Sequence, residues 1–519
     1  MRSSLAACVL ASLACACGGG SSDDEIGETG EAAGTDSSTT APSESEGEAS
    51  GDSTTTGDST RGDSTTSDST SGDSTTSDST TGDSGDSSTG DSTTGDECQG
   101  LESNLPLILI DAGGQPILDD PKIDADMLVI DNGEGALNCV SDSPAFAGPI
   151  GIETRGSTSQ MYPKKSYGIE TRDEFGDDLD VSILGMPAES DWVLYGPYPD
   201  KTLLRDALTY HLHTQMGHYS SRTRHVEVLL DGEYRGVYVW MERIQQDAGR
   251  VAISDIDEGD VAGDALTGGY ILKVDKLTGD VGSSWVSPYS SEVTLQVHDP
   301  KDSKIVPAQA EYIQAKVTQF EHVLAGPDFA DPLLGYPTWI DVDSYIDFMI
   351  LQELGRTVDG YRSSSFFYKD RDSVDGRFVA GPMWDFNLSY GNADYCEAFS
   401  TSGYQYEFDS VCGDFFTVEI PFWWQRLLED PKFADALRCR WESLREGVLS
   451  DEAIAAWVEA EALELADAQA RNFERWPILG VYVAWNPYVG ATYADEIDYL
   501  LKWISDRAAW LDENLGGAC

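Results

Sequence analysis

The sequence is short of basic residues and of long apolar runs. Among 519 residues, 92 are acidic and 33 are lysine or arginine, so the formal net charge is −59. A nucleic-acid-binding protein needs a basic face for the phosphates, and we therefore expect no nucleic-acid partner. No apolar run is long enough to cross a bilayer. The acidic balance itself indicates solubility and little more.

Several familiar catalytic and metal motifs are also missing. The chain has no CxxC pair, no GxxxxGK[ST] loop, no GxSxG turn and no HExxH helix, which argues against a zinc site, a P-loop and a serine hydrolase. Three histidines cluster at His211, His213 and His218. Without metal-ligand spacing, we interpret them as surface or core residues of a helix.

The first residues, "MRSSLAACVLASLACACGGGSS", resemble the export signal of a bacterial lipoprotein. One arginine, a short apolar stretch and small residues precede a cysteine. We predict a leader over residues 1–16 and lipidation at Cys17, with Cys15 as the second choice; an ordinary cleaved signal is the alternative. The chain is then exported and lipid-anchored, at the outer membrane or cell surface of a Gram-negative bacterium, and the lipid is its only membrane contact.

Residues 17–97 form a low-complexity segment of Ser, Thr, Gly and Asp. An aspartate recurs every five residues from Asp58 to Asp83, and almost nothing apolar occurs between residue 34 and Cys98. Such a segment cannot bury a core, so we predict a disordered, charge-extended tether. A calcium-binding repeat is the alternative, but the aspartates are spaced too widely for it.

Six cysteines remain after the leader, an even number that suggests disulfides in an exported protein. The sequence leaves their connectivity open. Proximity favours Cys396–Cys412, and the alternative is that some cysteines are buried free thiols.

The region 98–519 has globular composition, with strand patterns first and helical patterns later. "RHVEVLLDGEYRGVYVWMERI" predicts a hairpin around Asp231–Gly232, and "TLLRDALTYHLHTQMG" predicts a helix that stops at Gly217. After Pro307 long helical segments dominate, among them "FWWQRLLEDPKFADALRCRWESLREG". This order predicts an α+β domain in two lobes, sheet-rich over about 98–245 and helical over about 246–519. A small-molecule site is expected between the lobes.

Two stretches in the sheet-rich part carry polar groups suited to a nucleotide. In "RGSTSQMYPKK", Arg155, Ser157 and the loop amides can bind an anion. Lys164 and Lys165 are expected on opposite faces of the next strand, so that one of them can point into a cleft. A surface turn with exposed lysines is the alternative. At the end of a strand, the backbone of Met241 and Glu242 can pair with an adenine edge, although an ordinary strand end explains these two residues as well.

Two stretches in the later part carry acids. Asp359, in "ELGRTVDGYRSSS", follows a helix and can accept a proton from a hydroxyl; its alternative role is to organise an Asp-Gly turn. Asp385, in "GPMWDFNLSYGN", lies within an aromatic run, where an unpaired charge costs several kcal/mol. With Asn387 on the same face, and with Ser364 nearby, Asp385 can hold Mg²⁺.

Taken in order, these stretches resemble the CotH kinases, a family of atypical, reduced relatives of protein kinases. The resemblance extends over nearly all of residues 101–515. The segments that carry it are "LPLILID", "RGSTSQMYPKKSYGIE", "KTLLRDAL", "LLDGEYRGVYVWMERI", "GGYILKVDK", "RTVDGYRSSSFFYKDRD" and "GPMWDFNLSYGNADYC".

The resemblance implies a kinase-like fold and transfer of the ATP γ-phosphate, with Mg²⁺ or Mn²⁺, to Ser or Thr of exported proteins. Asp359 is similar to the catalytic aspartate, Asp385 to the metal aspartate and Lys165 to the phosphate-contacting lysine, and Met241 and Glu242 would lie at the adenine hinge. The sequence departs from the kinase pattern at two positions. Ser364 replaces a metal-binding Asn, and Asn387 stands where many relatives have a second Asp. A catalytically weak or inactive module for surface binding or assembly is therefore the alternative.

Overall fold

Alternation of apolar and other side chains builds the first half of the folded region into a closed β-barrel. Ile108, Ile110 and Ile150 are buried together inside it. Trp192 and Trp240 complete this interior, with their ring centroids 5.3 Å apart. Because residues two apart on a strand share a face, the alternation gives the barrel a largely apolar inner surface.

The computed structural model describes residues 98–278, 282–413 and 418–519, which belong to one compact unit. The strands are β1 (Glu102–Ser103), β2 (Leu107–Asp111), β3 (Ile123–Ile130), β4 (Asn138–Cys139), β5 (Phe146–Arg155), β6 (Ser166–Thr171), β7 (Asp191–Tyr195), β8 (Thr223–Leu230), β9 (Glu233–Glu242), β10 (Tyr270–Val274), β11 (Ser284–Val286), β12 (Thr294–Asp299), β13 (Ser365–Lys369) and β14 (Phe378–Ala380). The α-helices are α1 (Arg205–Gln215), α2 (Pro307–Ala325), α3 (Val342–Gly355), α4 (Asp372–Asp375), α5 (Phe408–Cys412), α6 (Trp423–Leu428), α7 (Pro431–Arg445), α8 (Asp451–Glu464), α9 (Ala466–Arg475) and α10 (Tyr493–Asn514).

The strands form two main sheets. The barrel has the order β2-β3-β5-β6-β7-β9-β8 and closes through the parallel pair β2 and β8. A second, antiparallel sheet has the order β11-β12-β10-β13-β14. The mixed α and β content agrees with the expected fold class, but the part predicted to be helical, 246–519, contains all five strands of the second sheet. These strands are short, and after Pro307 the helical periodicity around β13 and β14 dominates the sequence pattern.

Most individual elements lie where the sequence predicts them. The hairpin of β8 and β9 turns at Asp231 and Gly232, both with positive φ, as a two-residue turn requires. Helix α1 ends just before Gly217. One predicted helix is divided in two, α6 and α7, because Pro431 lacks an amide hydrogen and Asp430 caps the second helix through its side chain.

The barrel is attached to the helices through the start of β9. The Asn472 side chain of α9 accepts the Val237 amide at 3.1 Å, and the Trp476 indole donates to the Arg235 carbonyl at 2.7 Å. Gly236 makes this approach possible, since a Cβ there would lie 2.4 Å from the Asn472 amide oxygen. A large helical core then covers the outer side of the barrel at β7 and β9.

Three disulfides close the fold: Cys98–Cys139, Cys396–Cys412 and Cys439–Cys519. The predicted Cys396–Cys412 pair is confirmed. In the described part of the chain, no helix is both long and apolar enough to span a bilayer. The predicted leader, Cys17 and the tether over 17–97 lie outside the described residues.

We predict that the two C-terminal disulfides differ in their contribution to stability. Cys439–Cys519 closes a sequence separation of 80 residues and Cys396–Cys412 one of 16. Chain entropy predicts losses of about 4 and about 3 kcal/mol when each pair is replaced by serine. Urea unfolding of the two double variants measures this. A larger loss for the Cys396–Cys412 pair would contradict the entropic account.

Candidate functional site

The pairing of β13 with β14 brings Ser364 and Asp385 together. In this antiparallel pair Phe367 lies opposite Ala380, so residues that precede β13 lie beside residues that follow β14. The Ser364 hydroxyl lies 3.4 Å from the Asp385 carboxylate. Two residues that the sequence predicted as metal ligands therefore meet.

Asp359 reaches the same place through the end of α3. The helix stops at Arg356, which adopts the left-handed conformation. In the turn that follows, the Asp359 carbonyl oxygen accepts hydrogen bonds from the backbone amides of Ser363, at 2.9 Å, and Arg362, at 3.3 Å. This turn leads directly into β13, and the Asp359 carboxylate comes close enough to Asp385 to act on its ionisation. The predicted catalytic and metal aspartates thus converge.

The Asp385 carboxylate is electrostatically unusual. Burial, and then the negative charge of Asp359, raise its pKa to about 6. Lys276 and the Ser364 hydroxyl act in the opposite direction, and Asp275 adds to the increase. A divalent cation at this carboxylate would favour its charged form and relieve the repulsion.

Helix α1 supplies two further groups that the sequence analysis did not single out. Asp206 and Tyr210 are both buried and contact the backbone of the Asp385 segment. Burial, and then the charge of Asp385, raise the pKa of Asp206 to about 7. The sequence pattern of α1 predicts one buried apolar face and a solvent-exposed polar face. The helix is instead buried on nearly all sides, so its polar residues also lie inside the protein.

Basic side chains gather beside the acids, in a chain that has few of them. Arg155 lies over the Trp384 ring, at 5.7 Å from its centroid. Burial, and then Arg243, lower the pKa of Arg155 to about 10, while Glu153 and Asp385 act to raise it. Arg155 therefore stays charged at neutral pH. Arg155 thus lies beside the acids, and its role as a phosphate ligand stays a prediction; Arg243 and Lys276 were not predicted.

Other residues of the predicted phosphate loop lie differently. The Lys165 amino group donates to the Gln160 carbonyl of its own loop at 2.5 Å, and Ser157 is exposed. Its neighbour Lys164 is buried and donates to Asn472 at 2.9 Å. The two lysines do lie on different sides of the strand, but the contacts of Lys165 do not join it to Asp385. Its phosphate role stays a prediction.

The predicted adenine hinge is already used inside the fold. Met241 is buried and pairs with Val193 on one side and Thr223 on the other. The Glu242 carboxylate accepts the Arg222 guanidinium at 2.7 Å and the Arg222 amide at 3.0 Å. Adenine contact by Met241 and Glu242 stays a prediction.

Several residues with strained backbone lie around Asp359 and Asp385. Tyr361, Ser364 and Asp385 all have positive φ, of 68°, 49° and 65°. Residues other than glycine rarely adopt positive φ, because this backbone conformation costs of order 1–3 kcal/mol per residue. Such strained residues are often found at functional sites. Asn387, the third predicted metal residue, is half-buried, and its amide lies near the Tyr195 hydroxyl.

The donor set fits a hard cation that is shared with a phosphate. Asp385, Ser364 and Asn387 offer carboxylate, hydroxyl and amide oxygens, which suit Mg²⁺. Among the described residues, no group of three or more His, Cys, Asp or Glu side chains could hold a metal ion. With one carboxylate and two neutral oxygen donors, Mg²⁺ would take its remaining ligands from water and phosphate oxygens.

Two converging aspartates, oxygen donors and adjacent cations are the kinds of group that phosphoryl transfer uses. The chain belongs to the CotH kinase family: the family model described as "CotH kinase protein" matches residues 152–511. This family is kinase-like and in general implies ATP and a divalent metal. No curated protein sequence matches the chain.

We predict that Asp385→Asn stabilises the metal-free protein above pH 6. The folded-state pKa is raised to about 6, so ionisation of Asp385 opposes folding as the pH rises from about 4 through 6, and the neutral amide avoids this cost. The expected gain is about 1–3 kcal/mol at pH 8 and close to zero at pH 4. Urea unfolding at several pH values, with a chelator, measures it.

Asp347→Asn is the matched control for this prediction. Although burial acts to raise the pKa of Asp347, hydrogen bonds from His218 and Arg440 hold it below its usual value. That substitution should therefore destabilise the protein at neutral pH. A loss of stability in both variants would contradict the charge-burial argument.

Proposed function

We propose that this chain is an atypical protein kinase that transfers the γ-phosphate of ATP to Ser or Thr of exported or surface proteins. The observation that carries the proposal is the convergence of Asp359 and Asp385, two acids 26 positions apart in the sequence. Arg155 and Lys276, placed in the field of Asp385, supply positive charge for phosphate oxygens.

In this proposal the roles divide between the two acids. Asp359 orients the acceptor hydroxyl and takes its proton, while the bond from the γ-phosphorus to the ADP oxygen breaks and a bond to the hydroxyl oxygen forms. Asp385, Ser364 and Asn387 hold the divalent cation, whose charge neutralises the phosphates. Arg155 orients the phosphates by charge-assisted hydrogen bonds.

We further propose that the barrel region, 98–245, and the remainder, 246–519, act as the two lobes, with the nucleotide between the barrel and the second sheet. The lipid anchor at Cys17 and the tether over 17–97 would present the domain to acceptors outside the cytoplasm. The Ser- and Thr-rich tether is itself one candidate acceptor, and a neighbouring surface protein is another.

Substitution of the acids tests the proposal. With ATP and Mg²⁺, the full-length chain should label itself or a Ser-rich acceptor, and Asp385→Ala and Asp359→Asn should each reduce the rate at least about 100-fold, as loss of an electrostatic stabiliser does. Phosphate transfer from γ-labelled ATP measures this, with exposed Asp467→Ala as the control. No labelling and no ATP-dependent thermal shift in the parent protein would refute the proposal.

A binding or assembly module without catalysis is the second candidate. It is favoured by Ser364 and Asn387 at positions where kinases use other metal ligands, and by the Lys165 amino group bound to its own loop. This function predicts nucleotide or partner binding that Asp385→Ala leaves intact, together with no phosphate transfer by the parent protein.

We predict that Arg155→Gln weakens ATP binding about tenfold, because one charge-assisted contact to a phosphate is worth about 1.5–3 kcal/mol. Calorimetric titration of ATP with Mg²⁺ measures this. Lys502→Gln is the control, since Lys502 is exposed and pairs with Asp506 on its own helix. If the parent protein, Arg155→Gln and Lys502→Gln bound ATP with equal affinity, Arg155 would not be a ligand of the nucleotide.

A further inference from the structure

Helix α1 holds the backbone of the Asp385 segment by a short chain of hydrogen bonds. The Asp206 Oδ1 accepts the Phe386 amide at 2.6 Å. The same oxygen accepts the Tyr210 hydroxyl at 3.3 Å, and that hydroxyl in turn accepts the Asp385 amide at 3.2 Å. The amides on both sides of the Asp385 α-carbon are therefore bound by one pair of side chains.

These contacts occur where the backbone is strained. Asp385 has a φ of 65°, a backbone conformation that is unfavourable for a residue with a side chain. Without external contacts the segment would relax toward negative φ, and the carboxylate would turn away from Ser364. Asp206 and Tyr210 resist this, because both are buried and the Tyr210 ring stacks on Trp384, with centroids 6.1 Å apart.

We propose that Asp206 and Tyr210 are a positioning pair that orients the Asp385 carboxylate for cation binding. They act through the Asp385 backbone, so neither needs to touch the ion or the substrate. The inference rests on the proposed function in one respect, namely that Asp385 holds a divalent cation. Asp206 and Tyr210 of α1 thus help to determine the affinity for the cation.

A closely similar pair elsewhere in the chain shows what a purely structural role would look like. Asp430 is also buried, and it accepts the Lys432 amide at 3.0 Å and the Tyr336 hydroxyl at 2.9 Å. This pair caps α7 and has no contact with Asp385 in the described structure. Substitutions there match those at Asp206 and Tyr210 in chemistry and burial.

The test is calorimetric titration of Mn²⁺ into the full-length chain without nucleotide, which reads cation binding independently of phosphate transfer. Tyr210→Phe and Asp206→Leu should each weaken Mn²⁺ binding about fivefold or more, the equivalent of about 1 kcal/mol for one hydrogen bond. Asp206→Asn should stay within about twofold of the parent affinity, because its amide oxygen can accept both hydrogen bonds.

The controls Tyr336→Phe and Asp430→Leu should lower the melting temperature without changing Mn²⁺ affinity. Parent-like affinity in Tyr210→Phe would overturn the inference, and so would an equal loss in Asp206→Asn and Asp206→Leu. Tyr210→Phe removes a single oxygen and decides the question if Asp206→Leu fails to fold. A parent protein that binds no Mn²⁺ refutes the proposed function, whereas parent binding with unaffected variants refutes only this inference.

Discussion

The antiparallel contact between β13 and β14 decides which acids meet in this protein. It brings the turn that follows α3 beside the segment that follows β14, and so it brings Asp359 and Ser364 to Asp385. Like charges placed together in a partly buried site repel each other. A divalent cation bound there would relieve this repulsion.

Several features of the site lower the stability of the fold in favour of a fixed geometry. The pKa of Asp385 is raised, and Asp385, Ser364 and Tyr361 all have left-handed backbone conformations. Such arrangements persist only when the surrounding structure holds them, and here the second sheet, helix α1 and the turn after α3 do so. The basic groups at Arg155 and Lys276 balance the acids in a chain whose formal charge is −59.

The barrel gives this family member a rigid support next to the site. Its seven strands bury Trp192 and Trp240 inside, while β7 and β9 also pack outward on the helices. Arg155 lies at the end of β5 and Arg243 directly follows β9. Arg155 and Arg243 thus come from the ends of barrel strands, whereas Lys276 follows β10 of the second sheet. The acids come from α1, the turn after α3 and the segment after β14.

Sequence alone determined the features that depend on neighbouring residues. The hairpin at Asp231–Gly232, the helix stop at Gly217 and the acids in their local motifs all follow from short-range backbone preferences, and the order of motifs identified the family. Tertiary structure alone decided which charges meet. Asp206 and Lys276 join Asp385 from distant elements, whereas Lys165 turns to its own loop, because a side chain's partners depend on strand pairing and helix packing that no local pattern encodes.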